Sequence, residues 1–395
     1  MRPVAWLLVI AVGACGGGEG TGPPTTTDAL TPTSTTGIDV GPGQGPTTTS
    51  GIGAGTACPT DRICEIKVPL REVPLEGEGI SLTGGEEDRA LVVTKGRISQ
   101  VDLVSGTVVD TIDIPEDGLE VAPDGDGFWL VANEFGGGRL LRLAADGSIT
   151  AEVEIEVIGG PRSLAVGEGA VWTVVDGNGR VARVDPSDNT ATVIEGASET
   201  VAGNIETPIA IGHGSVWASD ASRGAVQIID PTSVSITDVV EDLGYLASTE
   251  GDTTTIYAWG AIGLQAGEAG MWVLSQTAHE EEGSQVQRGA VFLLDPVGSI
   301  VRRTDLKVSP VYARPALAVT EGAAWYIGPD GHLLRADLAS GRQVMIRTPG
   351  FGFLATGVIA SVGRIHFLTD GGFEGRATLV SADLAEIEGA VAALG

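Results

Sequence analysis

Short stretches in which apolar and polar residues alternate recur from about residue 80 to the end of the chain. Residues 164–186 read LAVGEGAVWTVVDGNGRVARVDP, and residues 209–231 read IAIGHGSVWASDASRGAVQIIDP. Both contain an apolar strand, a Gly-x-Gly turn, a Val-Trp strand, a polar turn with glycine and an alternating strand that ends at Asp-Pro. An apolar period of two predicts β-strands, because helical repeats need a period near 3.6.

The same scheme returns often enough to define seven units. Residues 264–296 repeat it with an insertion, residues 317–341 form another copy, and weaker copies begin at Ile80, Glu120 and Val358. Five units carry a tryptophan at the same place: Trp129, Trp172, Trp217, Trp272 and Trp325. Four short strands in each unit, with a period of roughly 40–50 residues, are typical of propeller blades. The sequence therefore predicts an all-β fold, a seven-bladed β-propeller with four-stranded blades, in which the tryptophans pack between blades.

An aspartate ends the third strand of six units. These residues are Asp102, Asp185, Asp230, Asp295, Asp337 and Asp383. Aspartate followed by proline or by a small polar residue is a turn signal, and its carboxylate can accept hydrogen bonds from the amides of the turn. A residue that recurs in six blades is expected to serve the structure, so we assign these carboxylates no catalytic role.

The repeat G-x-G-x-V-W…G-x-V-x-R-x-D-P resembles that of the seven-bladed propellers grouped around virginiamycin B lyase and the YVTN and NHL repeat proteins. The resemblance covers roughly residues 78–395 and implies seven blades around a central channel. The lyase uses a catalytic histidine and Glu-bound magnesium on one face of the ring. This chain has four histidines, His213, His279, His332 and His366. None of them, with a neighbouring glutamate, matches the lyase site, so the resemblance does not carry the activity over.

The first 15 residues have the pattern of an export signal. Arg2 gives a positive start, and Val4–Val12 form an apolar run too short to cross a bilayer. The tetrapeptide that ends at Cys15, Val-Gly-Ala-Cys, resembles the lipobox of bacterial lipoprotein precursors. The resemblance implies that residues 1–14 are a signal peptide and that Cys15 is lipidated, which would hold the protein on the extracytoplasmic side of a membrane. An ordinary secretory signal with an incidental cysteine is the alternative.

Residues 15–57 follow as a Gly-, Thr- and Pro-rich segment, for which we predict a disordered linker. The propeller domain is then expected over residues 58–395, with a short lead-in bounded by Cys58 and Cys64. Export places these two cysteines in an oxidising compartment, and we predict a disulfide between them. Two cysteines without a nearby histidine are too few for a structural zinc site.

The formal net charge of −29 narrows the range of partners. Nucleic acid binding needs clustered Lys and Arg, which this chain lacks, and direct adsorption to anionic lipid is disfavoured. We therefore expect contact with a membrane only through the lipid anchor. The sequence contains no G-x-S-x-G, H-E-x-x-H or Walker A motif.

Two insertions, residues 241–263 and 275–288, are expected on one face of the ring, where long loops on a rigid scaffold often bind ligands. The second contains a candidate ligand-binding cluster, His279, Glu280, Glu281 and Glu282. A solvated acidic loop and a divalent cation site are both open interpretations. The leading hypothesis is a tethered binding or scaffold module, without a required cofactor, for a protein, peptide or glycan of the envelope or the exterior. A metal-assisted lyase or hydrolase at the channel mouth is the alternative.

Overall fold

Seven four-stranded sheets form a ring in the computed structural model of the chain. The structure describes residues 62–85, 88–125, 127–134, 137–157, 163–175, 180–194, 208–220, 223–244, 247–250, 253–256, 261–281, 284–310, 316–328, 330–347, 355–370 and 376–394. The prediction of a seven-bladed propeller is confirmed, and the units found in the sequence coincide with the blades.

The strands of the first half of the ring follow two lead-in strands. The lead-in strands are β1 (Ile63–Ile66) and β2 (Leu70–Pro74). Blade one contains β3 (Gly79–Gly84), β4 (Arg89–Thr94), β5 (Arg97–Asp102) and β6 (Thr107–Asp113). Blade two contains β7 (Gly118–Asp124), β8 (Gly127–Glu134), β9 (Gly137–Ala144) and β10 (Ile149–Val157). Blade three contains β11 (Leu164–Gly167), β12 (Ala170–Val175), β13 (Arg180–Val184) and β14 (Ala191–Val193).

The remaining strands complete the ring. Blade four contains β15 (Ile209–Gly212), β16 (Ser215–Asp220), β17 (Ala225–Asp230) and β18 (Ser235–Val240). A separate hairpin, β19 (Ala247–Glu250) and β20 (Thr253–Ile256), precedes blade five. Blade five contains β21 (Ala261–Gly267), β22 (Gly270–Glu281), β23 (Ser284–Leu294) and β24 (Ile300–Leu306). Blade six contains β25 (Leu317–Thr320), β26 (Ala323–Ile327), β27 (Leu333–Asp337) and β28 (Gln343–Ile346). Blade seven contains β29 (Ala355–Ser361), β30 (Arg364–Thr369) and β31 (Thr378–Asp383), and helix α1 (Leu384–Ala392) follows.

The first strand of each blade is the innermost, and it contacts the first strands of both neighbouring blades around the whole ring. Within a blade the strands run antiparallel in chain order. The turn between the second and third strands therefore lies on the same face as the connection to the next blade. We call this the connection face, and the opposite one, with the turns between strands one and two and between three and four, the turn face.

The ring is closed by the lead-in strands. β2 pairs antiparallel with β31, from Leu70 opposite Ala382 to Pro74 opposite Thr378, and supplies the fourth strand of blade seven. β1 pairs parallel with β28 and gives blade six a fifth strand. The first and last parts of the propeller are thus joined by a shared sheet.

Helix α1 follows β31, the last strand of blade seven along the chain. Asp383 caps it, because its carboxylate accepts from the backbone N–H groups of Ala385 and Glu386. The helix buries Ile387 against the core of blades six and seven. Glu388 forms two 2.9 Å hydrogen bonds with the guanidinium of Arg335, which also lies over the Trp325 ring. These contacts dock the helix on the ring.

The five aligned tryptophans lie in the second strands and are buried, which confirms their role as core residues. The indole N–H groups of Trp172 and Trp217 each donate to the carbonyl of the glycine five residues earlier, at 3.2 Å. The buried side chains interleave between adjacent blades. Each indole thereby combines a large apolar surface with a satisfied donor.

The predicted turn role is confirmed for five of the six aspartates, whereas Asp383 caps helix α1. Each accepts at least one hydrogen bond from a backbone amide two or more residues along the chain. Hydrogen bonds from Ser187 hold the pKa of Asp185 below its usual range, and the amides of Ser233 and Thr232 do the same for Asp230. Charged carboxylates therefore fasten the turns of the turn face.

Candidate functional site: the blade-five arm

The predicted insertion at residues 275–288 is a β-hairpin that extends blade five. β22 and β23 are the two longest strands described, with 12 and 11 residues, and their pairing continues from Ser275 opposite Ala290 to Glu281 opposite Ser284. We call the part beyond the sheet, residues 276–288, the blade-five arm. The segment is therefore a strand extension and not the loop that its polar composition indicates, because the register of strands already paired in the blade propagates outward.

The arm stands on the connection face, where the turn between second and third strands belongs. Backbone pairing places His279 opposite Val286 and Glu280 opposite Gln285. Glu282 lies outside the described residues, as do the side-chain positions of His279, Glu280 and Glu281. The proposed cluster therefore shares one hairpin, and its capacity to bind a ligand stays a prediction.

The base of the arm is fixed from both sides by buried polar side chains. The Ser275 hydroxyl donates to the carbonyl of Leu243, in the connection from blade four. The Gln276 side-chain amide donates to Ser309 Oγ at 2.6 Å and to the Pro310 carbonyl at 3.0 Å, in the connection to blade six. Ser275 and Gln276 are both almost fully buried. Buried hydrogen bonds of this kind restrict side-chain movement, so they fix the base of the arm to both neighbouring connections.

Both edges of the arm are open among the residues that the structure describes. β21 pairs with β22 only as far as Ala261 opposite Ser275, and β24 pairs with β23 only as far as Leu306 opposite Gly289. Beyond these points the two strands of the arm pair with each other alone. An edge of this kind offers backbone N–H and C=O groups that can pair with another extended chain.

The second predicted insertion, residues 241–263, contains the β19–β20 hairpin. Its strands pair from Ala247 opposite Ile256 to Glu250 opposite Thr253. The hairpin belongs to the connection between blades four and five, and this connection also supplies the Leu243 carbonyl that Ser275 binds. The connection that contains this hairpin therefore contacts the base of the arm at Leu243, and the placement of the two insertions beside each other stays a prediction.

The histidines outside the arm serve the structure. His213, at a positive φ of 57°, lies in the turn after β15, and its Nε2 is 2.9 Å from the Gly267 carbonyl of blade five. Burial lowers the pKa of His332, which is half-buried. His366 occupies the tryptophan position of blade seven, and its Nδ1 lies 2.7 Å from Ser381 Oγ. This Ser–His pair is enclosed in the core, so no substrate reaches it.

No group of three or more His, Cys, Asp or Glu side chains with metal-binding geometry occurs in the part of the chain that the structure describes. The Asp-Gly turn at residue 124 is occupied internally: Asp124 Oδ2 accepts from the Trp129 indole at 2.9 Å and from Arg142 at 3.0 Å. This turn lines a polar cleft of about 460 Å³ between blades two and three. The Arg142 guanidinium lies over the Trp129 ring and donates to the Pro186 carbonyl of blade three. These contacts explain why an acidic turn occurs there.

A second polar cleft, of about 530 Å³, lies on the connection face at blade one. Its charges are already paired: Arg97 binds both Glu76 and Asp113, and Lys95 lies 3.8 Å from Glu116. The hydrogen bonds that Arg97 donates to Glu76 and Asp113, together with the negative charges of these carboxylates, raise the pKa of Arg97. Neither cleft combines an accessible nucleophile with a base, so the arm is the better candidate site.

Two further predictions concern the N-terminal part. Cys15 and Cys58 lie outside the described residues, so the lipid anchor and the disulfide stay predictions. Cys64 is described, and it is buried in β1 opposite Val344 of blade six. Among the described residues no helix is both long and apolar enough to cross a bilayer.

Comparisons with known proteins support the fold. The sequence matches no protein-family model and no curated protein. The structure is similar to the β-propeller domain of Cps50 (Swd1) from Myceliophteria thermophila, with a TM-score of 0.56 and 12% identity, over 80% of this chain and 100% of that one. It is also similar to hydrazine synthase from Kuenenia stuttgartiensis (TM-score 0.54, 11% identity, 77% and 95% covered). BamB from Moraxella catarrhalis has a TM-score of 0.51 at 12% identity, with 78% and 98% covered. At such identities the likeness establishes a β-propeller and leaves function to the site.

Proposed function

We propose that the protein is a membrane-tethered, extracytoplasmic propeller that binds a protein or peptide of the cell envelope through the blade-five arm. The observation that carries this proposal is the arm itself: a hairpin whose two edges pair with no other described strand, on a base that Ser275 and Gln276 fix to both neighbouring connections. A rigid platform with exposed backbone donors and acceptors suits recognition of an extended chain. Such binding needs no cofactor.

The tether part of the proposal rests on the sequence. The lipobox-like end at Cys15 would give two or three acyl chains, which together hold a protein at a membrane where one chain does not. The segment between Cys15 and Cys58 would let the propeller reach roughly 35 Å from the surface if it behaves as a flexible coil. The arm would then meet partners in the envelope and not within the bilayer.

The arm is tested by grafting a short turn in its place. In blade four, residues 221–224 (Ala-Ser-Arg-Gly) link the paired residues Asp220 and Ala225, and in blade five Gln276 and Gly289 form a pair at the base of the arm that the same four residues can link. Replacing residues 277–288 by these four residues should leave the melting transition of the propeller cooperative, because the base contacts of Ser275 and Gln276 are kept. Affinity capture from an envelope extract should then lose the partners that the wild-type protein retains.

A matched control changes the other face. Glu168→Gly alters an exposed residue of the turn face whose positive φ of 51° glycine adopts easily, and it should leave capture unchanged. A photo-reactive amino acid at position 286 should form crosslinks to the captured partners, whereas the same group at position 168 should not. Equal capture by the graft, or equal crosslinking from both positions, refutes binding at the arm.

The anchor has a separate test. Mass spectrometry of the mature N-terminus should find acylated Cys15, and Cys15→Ala should move the protein from the membrane fraction to the soluble fraction. An unmodified cysteine in the membrane-bound protein refutes the lipid anchor without affecting the arm.

A further inference from the structure

The outer strand of blade five, β24, differs in charge from the fourth strands of blades one to four. β6, β10 and β18 carry acidic residues and no basic ones, and β14 carries no charge. β24 carries Arg302, Arg303 and Asp305 in a chain with a net charge of −29. It is also the last strand of its sheet among the described residues, so one edge is open.

Apolar side chains accompany these charges at the rim. Val297, in the turn before β24, is 71% exposed, and Ile300 and Val301 are 44% and 59% exposed. Exposed apolar residues grouped on one edge strand are unusual, because native proteins generally protect such edges from pairing. The rim of blade one also exposes valines. The charged residues of its strand β6, Asp110 and Asp113, are both acidic, so two copies of β6 would bring only like charges together.

The two charges that matter lie on one face of β24. Arg303 and Asp305 are two residues apart and exposed, and Arg303 Nε lies 2.7 Å from Asp305 Oδ1. The guanidinium also lies over the Phe292 ring, at 5.5 Å, which limits its freedom. The intervening Thr304 faces the interior, where its hydroxyl donates to the Leu338 carbonyl of blade six. The exposed face therefore presents a plus–minus pair in a fixed order.

Such a pair is self-complementary in an antiparallel ladder. Two copies of a strand can pair antiparallel about a two-fold axis perpendicular to the sheet. The same face of each strand then lies on the same side of the joint sheet, and the axis passes between the two copies of one residue. An axis at Thr304 sets Arg303 of each copy opposite Asp305 of the other. An axis at Arg303 or at Asp305 would set like charges opposite each other, which is unfavourable. Of these three registers, the charges favour the one about Thr304.

We propose that β24 is a self-association edge, through which two copies of this protein pair antiparallel about Thr304, rim to rim. The fold already adds a strand to a blade rim at the neighbouring blade six, where β1 pairs with β28. The contact is short, and interfaces below the usual size bind weakly, so the dimer should be concentration-dependent. In it the two discs lie side by side with their connection faces turned opposite ways.

Charge exchange tests the register. Light scattering after size-exclusion chromatography of the full chain, at about 0.15 M salt, should give a mass that rises from monomer towards dimer with concentration. Arg303→Asp and Asp305→Arg should each weaken the dimer by about tenfold or more, because each sets like charges opposite each other twice. The double variant Arg303→Asp/Asp305→Arg should restore it.

A mixing experiment makes the test independent of folding defects. Arg303→Asp and Asp305→Arg, each monomeric alone, should form a heterodimer when mixed, because positions 303 and 305 are then both acidic in one copy and both basic in the other. Asp110→Arg in β6 is the matched control and should leave the mass unchanged. A wild-type protein that stays monomeric at about 500 µM, or a dimer that is insensitive to both single exchanges, overturns the proposal.

Discussion

The buried histidine of blade seven makes the stability of the propeller depend on pH in a way that one substitution should abolish. His366 is fully buried and occupies the position that tryptophan holds in five other blades. The carbonyl of Ser361 can only accept, so His366 Nε2 carries the proton and donates to it, and Nδ1 accepts from the Ser381 hydroxyl. The neutral ring is thus satisfied at both nitrogens, and a second proton would place a charge in the core.

The size of this pH dependence follows from the pKa of His366. Burial lowers this pKa from 6.5 to about 4, and the positive charges of Arg364 and Arg71 act in the same direction. Between these two values the unfolded chain binds a proton that the folded protein does not. The contribution of neutral His366 to the free energy of unfolding is therefore fully present above pH 6.5, and it is lost as the pH falls towards 4. For a shift of this size the loss is about 2.5 kcal/mol between pH 7.5 and pH 4.5.

Urea unfolding at pH 7.5, 6.5, 5.5 and 4.5 measures this slope. His366→Gln keeps a neutral polar side chain and should be less stable at pH 7.5, yet it should lose most of the slope. The remaining slope comes in part from His332, whose pKa burial also lowers. Val297→Ala, at an exposed position without a titratable group, should retain the full wild-type slope.

A His366→Gln protein with the wild-type pH dependence would refute the reasoning, since another group would then have to take up the proton. The window stops at pH 4.5 because the turn aspartates have lowered pKa values of their own. Their hydrogen bonds to turn amides contribute stability that is lost only at lower pH.

Three further changes probe the parts that hold the ring together. Trp217→Ala leaves a cavity between blades four and five and should lower the free energy of unfolding by about 3–5 kcal/mol in urea titrations; a loss below about 1 kcal/mol would contradict its role in the core. Asp337→Ala removes the acceptor for the amides of Ala339 and Ser340 and should cost about 1–2 kcal/mol in the same assay, whereas Asp337→Asn should recover part of it. Val73→Ala, in the closing strand β2, should lower the free energy of unfolding by about 1–3 kcal/mol. It should also increase hydrogen exchange in β31 more than in blade four, and a uniform increase would argue against local opening where β2 closes the ring.

The blades were predictable from the sequence because each blade repeats a local pattern. Trp172 and Trp217 mark the second strand in adjacent blades, and Asp185 and Asp230 mark the end of the third strand that follows it. These features repeat within tens of residues, and their burial and hydrogen bonds follow from strand alternation and turn chemistry alone.

The closing strand and the arm were harder to predict, each for a physical reason. β2 finds its partner β31 about 300 residues along the chain, and a pairing of that range leaves no local signal. The hairpin form of the arm depends on the register of β22 and β23 in the blade below, which a polar composition conceals. Helix α1 did have a signal: Asp383 with Glu386 three residues later is a helix start, but the repeat favoured reading Asp383 as one more turn residue.

The pairing of β2 with β31 also sets the order of events as the chain folds. Blades one to six have their core strands within continuous stretches of sequence and can form as those stretches emerge, whereas blade seven must wait for both ends of the propeller. At synthesis rates of roughly 5–20 residues per second, β2 stays without its partner for about 15–60 seconds. During that interval its edge can pair with a wrong chain, and a chaperone that covers residues 70–74 would raise the yield of closed rings. For a chain that crosses a membrane before folding, the same delay keeps the ring open until the last strand arrives.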